Sequence, residues 1–269
     1  MEINKTGIIL TGAASGIGSA ILNDLLKFDC KIIAADRNAE ALEKITFSGI
    51  DKVIPFVGDL SNPDQINQLF EFAGQTLPSI DIFIANAGFA YYEQLRGADW
   101  SHFENIFRTN TLSPIYSLMK MAELNQDKPW KTVMISSAMA EWEVPGYSVY
   151  GATKAAIHRF AEGYRFDDVK KHLMVVYPIA TRTKFFETAG RGIPVAFPVQ
   201  SAESVARKII SGIRSDKRKI YPSLLFRTIL IINRVLPFIK PVYQAIEMRK
   251  FRNWLSRLPA TEEADGSGQ

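Results

Sequence analysis

The sequence is poor in the groups that build metal centres and cross-links. It has one cysteine, Cys30, and three histidines in 269 residues. A lone thiol excludes an intramolecular disulfide and a thiolate metal cluster, which suits a reducing compartment. His102, His158 and His172 show no ligand spacing with one another, with acids or with Cys30, so no metal is expected. No segment has the ~20 uninterrupted apolar residues that a membrane-spanning helix needs. The longest candidate, Leu224–Ile239, is broken by Arg227, Asn233, Arg234 and Pro237. Met1–Lys5 runs directly into the short apolar stretch Gly7–Thr11, which is too brief for a secretory signal core. A cytoplasmic location is therefore expected. No Gly-x-Ser-x-Gly segment occurs, so the nucleophile elbow of α/β-hydrolases is missing.

Hydrophobic residues make up 47% and charged residues 22% of the chain, a globular balance for one α/β domain with a substantial core. The net charge of +4 hides an asymmetry. Arg214 to Arg257 holds eleven Lys/Arg against Asp216 and Glu247, which is +9 and leaves −5 for the remainder. No nucleic-acid recognition motif accompanies these cations, so nucleic acid is not expected as a partner.

Continuously apolar runs at Gly7–Thr11, Lys31–Ala35, Lys52–Val57, Ile80–Ala85, Thr132–Ser136 and Leu173–Tyr177 read as strands buried on both faces. Amphipathic stretches near residues 17–28, 39–47, 63–76, 99–124 and 147–170 separate them. A further helix from Ser201 to about Arg214 and a short strand at Lys219–Tyr221 follow. This alternation predicts a doubly wound, Rossmann-type α/β fold with a parallel sheet of about seven strands. Residues 1–221 then form a dinucleotide-binding catalytic domain, 222–259 a helical basic and apolar extension, and 260–269 a small, polar, disordered tail.

The first strand ends in Thr11-Gly12-Ala13-Ala14-Ser15-Gly16-Ile17-Gly18, ahead of a helix. Glycines allow a tight turn and close approach to a pyrophosphate, and the helix start offers unpaired N–H groups and partial positive charge. Gly12, Ser15, Gly16, Ile17 and Gly18 are the candidate contacts. Asp36 closes the second strand 24 residues after Gly12, where a carboxylate can hold a ribose diol. Its charge predicts NAD over NADP, with Arg37 keeping NADP open as the alternative. Asp59 ends the third strand, followed by Leu60, within reach of the adenine.

Tyr150-Gly151-Ala152-Thr153-Lys154 places a phenol and an ammonium at i and i+4 on one helix face. An adjacent cation lowers a phenol from its usual value near ~10. Alone, such a pair equally suits a surface contact. Ser137, thirteen residues earlier at the end of the fifth strand, changes that balance, because its hydroxyl faces the ligand crevice expected there. Met139, Trp142, Val144 and Tyr147 would line an apolar wall or pack beneath the loop. Phe185–Pro198 reads as a mobile lid, its Phe185, Phe186 and Phe197 favouring an apolar substrate.

The Gly-x-x-x-Gly-x-Gly spacing, with Ser137 and Tyr150-x-x-x-Lys154, resembles the short-chain dehydrogenase/reductase family over residues 5–221. The resemblance implies that Ser137 orients a substrate oxygen and that Tyr150 exchanges its proton. It further implies that Lys154 holds the nicotinamide ribose and that Asn110 supports a proton-relay water. Asn86-Ala87-Gly88 resembles the family segment that borders the cofactor after strand four. Pro178 to Thr183 resembles the segment after strand six, in which Thr183 and the backbone near Thr181 would hold the carboxamide. The chain departs from the pattern at Ala85, Ala140 and Ile179, none of which removes a reacting group. The expected activity is NAD(P)-dependent interconversion of a hydrophobic secondary alcohol and ketone, with Ser137, Met139, Tyr147 and Tyr150 at the substrate. A silent dinucleotide-binding regulator and a membrane-surface scaffold on the same fold are the alternatives.

The expected partners are that small molecule and further copies of the chain. Phe251, Trp254, Leu255 and Leu258 form an apolar stripe beside Arg249, Lys250, Arg252 and Arg257. Such a stripe either packs on the protein or lies on anionic lipid.

Overall fold

The structure is a computed structural model, and it describes residues 1–46, 51–126, 128–168, 171–194 and 196–258. The tail expected to be disordered, 260–269, lies outside these residues. In chain order the strands and helices begin β1 (Gly7–Thr11), α1 (Gly16–Leu25), β2 (Lys31–Asp36), α2 (Ala39–Thr46), β3 (Val53–Val57) and α3 (Pro63–Thr76). They continue with β4 (Ile82–Ala85), α4 (Trp100–Phe107), α5 (Ser113–Leu124), β5 (Lys131–Ile135), α6 (Ser148–Tyr164) and β6 (Leu173–Val176). The last third holds β7 (Thr181–Arg182), α7 (Phe185–Ala189), β8 (Gln200–Ser201), α8 (Ala202–Arg214), β9 (Lys219–Ile220), α9 (Leu224–Asn233) and α10 (Ile239–Leu255).

Seven strands form one sheet in the order β3-β2-β1-β4-β5-β6-β9, and every pairing in it is parallel. Successive side chains of a strand point to opposite faces, so the apolar runs feed two cores. Ile8, Leu10, Ile32 and Ile84 pack under α1 and α8, against Ile21, Leu25, Val205 and Ile209. Ile9, Ile33, Phe83 and Val175 face α3, α5 and α6, against Leu69, Phe70, Leu118 and Ile157. Chain order reverses between β1 and β4, and a ligand crevice opens at the carboxyl ends of the strands there.

Two helices end or break sooner than their patterns suggest. The continuous helix expected over 99–124 is interrupted at Arg108–Leu112 by a π-helical turn, closed by the Ser113 N–H on the Arg108 carbonyl. Pro114 is the physical cause, because it has no N–H to donate four residues back. The helix expected over 147–170 ends at Tyr164. The two-residue strands β7 and β8, which pair in parallel, carry too little sequence for a period to be read.

The extension folds back onto the body. Trp142 stacks edge-on against Phe226 and packs on Tyr243, while Phe251 and Trp254 enclose Tyr92. Lys240 pairs with Glu143 at 2.6 Å. Among the described residues no helix is long and apolar enough to cross a membrane.

Candidate active site

At the crevice lies a cavity of about 550 Å³. The turn that floors it depends on glycine at two points. Gly12 has φ +62°, and a Cβ on Gly18 would stand 1.9 Å from the Gly12 carbonyl oxygen. Gly18 therefore lets α1 start against the end of β1, although it does not itself line the cavity. The N–H groups of Ser15, Gly16, Ile17 and Gly18 make no hydrogen bond among the described residues. Ser15, Gly16 and Ile17 line the cavity, so unpaired donors at a helix start face it, an arrangement that suits a pyrophosphate. Asn86 ties this turn to β4: its amide donates to the carbonyls of Thr11 and Gly12 at 3.1 and 3.0 Å.

Asp36 stands at the rim. One carboxylate oxygen accepts from the Ala14 N–H at 3.0 Å and the other from the Asn38 N–H at 3.1 Å. These bonds fix the carboxylate and leave each oxygen a free lone pair. The Arg37 guanidinium lies over the Phe89 ring, 6.0 Å from its centre. Asp59, Leu60, Ala87, Gly88, Pro178, Thr181 and Thr183 complete the wall on either side.

At the inner end Ser137, Met139, Tyr150 and Lys154 meet. Ser137 Oγ accepts from the Met139 N–H at 3.1 Å, starting the short 3-10 turn Ala138–Ala140. Burial pushes the Tyr150 phenol up to about 12, against the opposing effect of the Ser137 hydroxyl hydrogen-bonded to it. The sequence argument, which counted only the neighbouring ammonium, gave the opposite direction. Lys154 Nζ sits 5.7 Å from the centre of the Tyr150 ring and donates to the Ile135 carbonyl at 2.9 Å. Its own burial pulls the ammonium down to about 8. Desolvation disfavours both charged forms, so it outweighs the attraction between them.

Several expected residues stand elsewhere. Asn110 is fully buried and outside the cavity lining. Its amide donates to the Phe89 carbonyl at 2.8 Å and to Thr153 Oγ1 at 3.2 Å, while its oxygen accepts the Phe89 N–H at 3.1 Å. The side chain joins the 86–89 segment to α6. Tyr147 packs on Tyr92 and Tyr150 and does not reach the cavity surface. Trp142 anchors the extension, and Phe197, expected to face a substrate, is 72% exposed to solvent.

Phe89, Tyr91, Asn105, Thr109, Lys184 and Thr188 also line the cavity, though the sequence reading did not single them out. Phe89 and Tyr91 follow Asn86-Ala87-Gly88 off a strand's carboxyl end. Asn105 and Thr109 lie at i and i+4 just before Asn110. Both positions were signals available in the sequence. No cluster of three or more His, Cys, Asp or Glu side chains fit to hold a metal occurs among the described residues.

The sequence pattern of the family described as short chain dehydrogenase matches residues 6–193. An uncharacterized oxidoreductase of Staphylococcus saprophyticus is 28% identical over 165 residues, which is 60% of this chain and 66% of that protein. The match thus spans just under two thirds of that relative's length. Versicolorin reductase of Emericella nidulans is 28% identical over 191 residues, 68% of this chain and 72% of that protein. Among solved structures, a short chain dehydrogenase/reductase from Burkholderia phymatum in complex with NAD superposes with a TM-score of 0.77. It is 17% identical and covers 87% of this chain and 94% of its own. A short-chain dehydrogenase from Sphingobium yanoikuyae in complex with NADPH has a TM-score of 0.72 at 21% identity, covering 98% of both chains. At such identities these two are likenesses of fold.

Proposed function

The chain belongs to the short-chain dehydrogenase family, and we propose that it interconverts a hydrophobic ketone and its secondary alcohol with a nicotinamide dinucleotide, Tyr150 being the acid/base. The observation that carries this reading is the meeting of Ser137, Tyr150 and Lys154 at the inner end of a cavity whose outer end carries unpaired helix-start N–H groups. The donor set fits a dinucleotide: Ser15–Ile17 for its phosphates, Asp36 for the adenosine ribose, Lys154 for the second ribose, Thr183 and the backbone near Thr181 for the carboxamide. When bound, the dinucleotide supplies or accepts the hydride.

The protein's own groups handle the proton. Ser137 Oγ and Tyr150 Oη hold the substrate oxygen, and Tyr150 Oη gives up its proton as that oxygen becomes negative. A phenol held protonated by burial is a donor at neutral pH, which supports the reductive direction. Asn110 acts here as a positioning residue, fixing Phe89 and α6. Met139, Phe89, Tyr91, Phe185 and Phe186 around the cavity support an apolar substrate. The test is a panel of hydrophobic ketones and alcohols, read by nicotinamide absorbance with each cofactor. No turnover of any member, with the dinucleotide still bound, would favour the silent regulator.

Cofactor choice follows from the fixed carboxylate at the rim. A 2′-phosphate beside Asp36 would set like charges together, so kcat/KM is expected to favour NAD. Asp36→Ala should shift the NADP-to-NAD ratio of kcat/KM upward by about tenfold or more, the effect of ~1.4 kcal/mol. Equal use of both cofactors by the wild type, with no shift in the variant, would remove Asp36 from this role.

A further inference from the structure

The catalytic reading gives no task to the outer side of α9 and α10. α9 turns Phe226, Ile229 and Leu230 toward the Trp142 cluster. On its other side Leu224, Leu225, Ile231 and Ile232 are exposed. The exposed stripe runs on through Val235, 78% exposed, and Phe238, 59% exposed, into Val242 and Ile246 of α10. A contiguous apolar face of this extent on a folded surface calls for a partner.

The charge pattern says which partner. From Lys217 to Ile246 every charged residue is Lys or Arg. Lys219 and Lys240 are paired to Glu141 and Glu143 of the body. Arg227 and Arg234, both exposed beside the apolar stripe, have no ion pair among the described residues. Arg249 and Arg252 extend the exposed cationic margin along α10. A second copy docked through the same face about a two-fold axis would bring this uniformly cationic margin against itself. An aqueous polyanion would satisfy the arginines and leave the aliphatic side chains wet. A leaflet of anionic lipid satisfies both at once.

We infer that α9, α10 and the turn between them dock flat on an anionic lipid surface, with Val235 and Phe238 as the deepest side chains. This inference is independent of the catalytic reading, so either can fail without the other. The experiment is flotation of the full chain with vesicles of phosphatidylcholine alone and of phosphatidylcholine mixed with phosphatidylglycerol. Flotation is expected with the mixed vesicles only, and it should weaken as ionic strength rises. Arg227→Gln with Arg234→Gln should lower the partition coefficient on the order of thirtyfold. Val235→Asp with Phe238→Asp should abolish flotation while the circular dichroism spectrum is unchanged. The arginine variant, whose side chains have no ion-pair partners among the described residues, decides the matter should the aspartate variant not fold. Absence of flotation, or equal flotation with neutral vesicles, overturns the inference. A dimer that Val235→Asp and Phe238→Asp dissociate, without vesicle binding by the wild type, would assign this face to a second copy instead.

Discussion

Tyr150→Phe should lower kcat for ketone reduction by about 10²–10⁴-fold, the usual worth of a positioned proton donor. The variant loses one oxygen atom and keeps the ring that packs against Phe185 and Tyr147, so the cavity should hold its shape. Dinucleotide affinity should stay within a few fold, because the phosphate-facing N–H groups and Asp36 are untouched. KM and kcat therefore separate the chemical role from a packing role. Ser137→Ala in the Tyr150→Phe background should add little further loss, since the two hydroxyls serve one substrate oxygen. Retention of activity within a few fold would sink the assignment of Tyr150 as the acid/base.

What the sequence made legible are features whose spacing is fixed by covalent geometry. Gly12, Gly16 and Gly18 follow a strand and open a helix, so their separation alone places them at one turn. Tyr150 and Lys154 share a helix face for the same reason, and the doubly wound parallel sheet follows from alternation of elements. The features that escaped are set by tertiary packing. Trp142 follows Ser137 and Met139 closely in sequence, yet nothing in that segment tells that α9 will cover it. The hydrogen bonds of Asn110 to Phe89 and Thr153, which hold two segments together, are likewise invisible in the sequence around it. The phenol is the sharpest case. A neighbouring ammonium can be read from the letters Tyr-x-x-x-Lys, but desolvation depends on everything packed around the pair, and here it wins.

The same desolvation makes Lys154 expensive to the fold, and Lys154→Met should show it. Burial lowers the ammonium from 10.5 to about 8, equivalent to a cost on the order of 3 kcal/mol for carrying the charge at pH 7. Methionine keeps an apolar stem in the same space. It also deserts the Ile135 carbonyl, which gives back ~1–2 kcal/mol of the gain. The variant should thus be more stable than wild type at pH 7 by about 1–2 kcal/mol, while kcat/KM falls by about 10²-fold or more and dinucleotide binding weakens.

The pH dependence fixes the cause. Between about 8 and 10.5 the unfolded chain still binds this proton and the folded one does not, so wild-type stability rises with pH across that window. The variant lacks that rise. Its advantage should therefore shrink above pH 8 and reverse before pH 10.5, where only the lost hydrogen bond remains. Tyr150 and Tyr92, both pushed up to about 12 by burial, lower stability above pH 10 in both proteins and cancel in the difference. Urea midpoints of the two proteins at pH 7 and pH 9.5 make the measurement. A variant that is less stable at pH 7, by an amount that does not move with pH, would mean that the ammonium is not held at a desolvation cost. Stability kept low at neutral pH by a group that turnover needs is what a buried lysine serving a ribose predicts; an equally buried structural lysine would give the same crossing, and the accompanying fall in kcat/KM and dinucleotide binding tells the two apart.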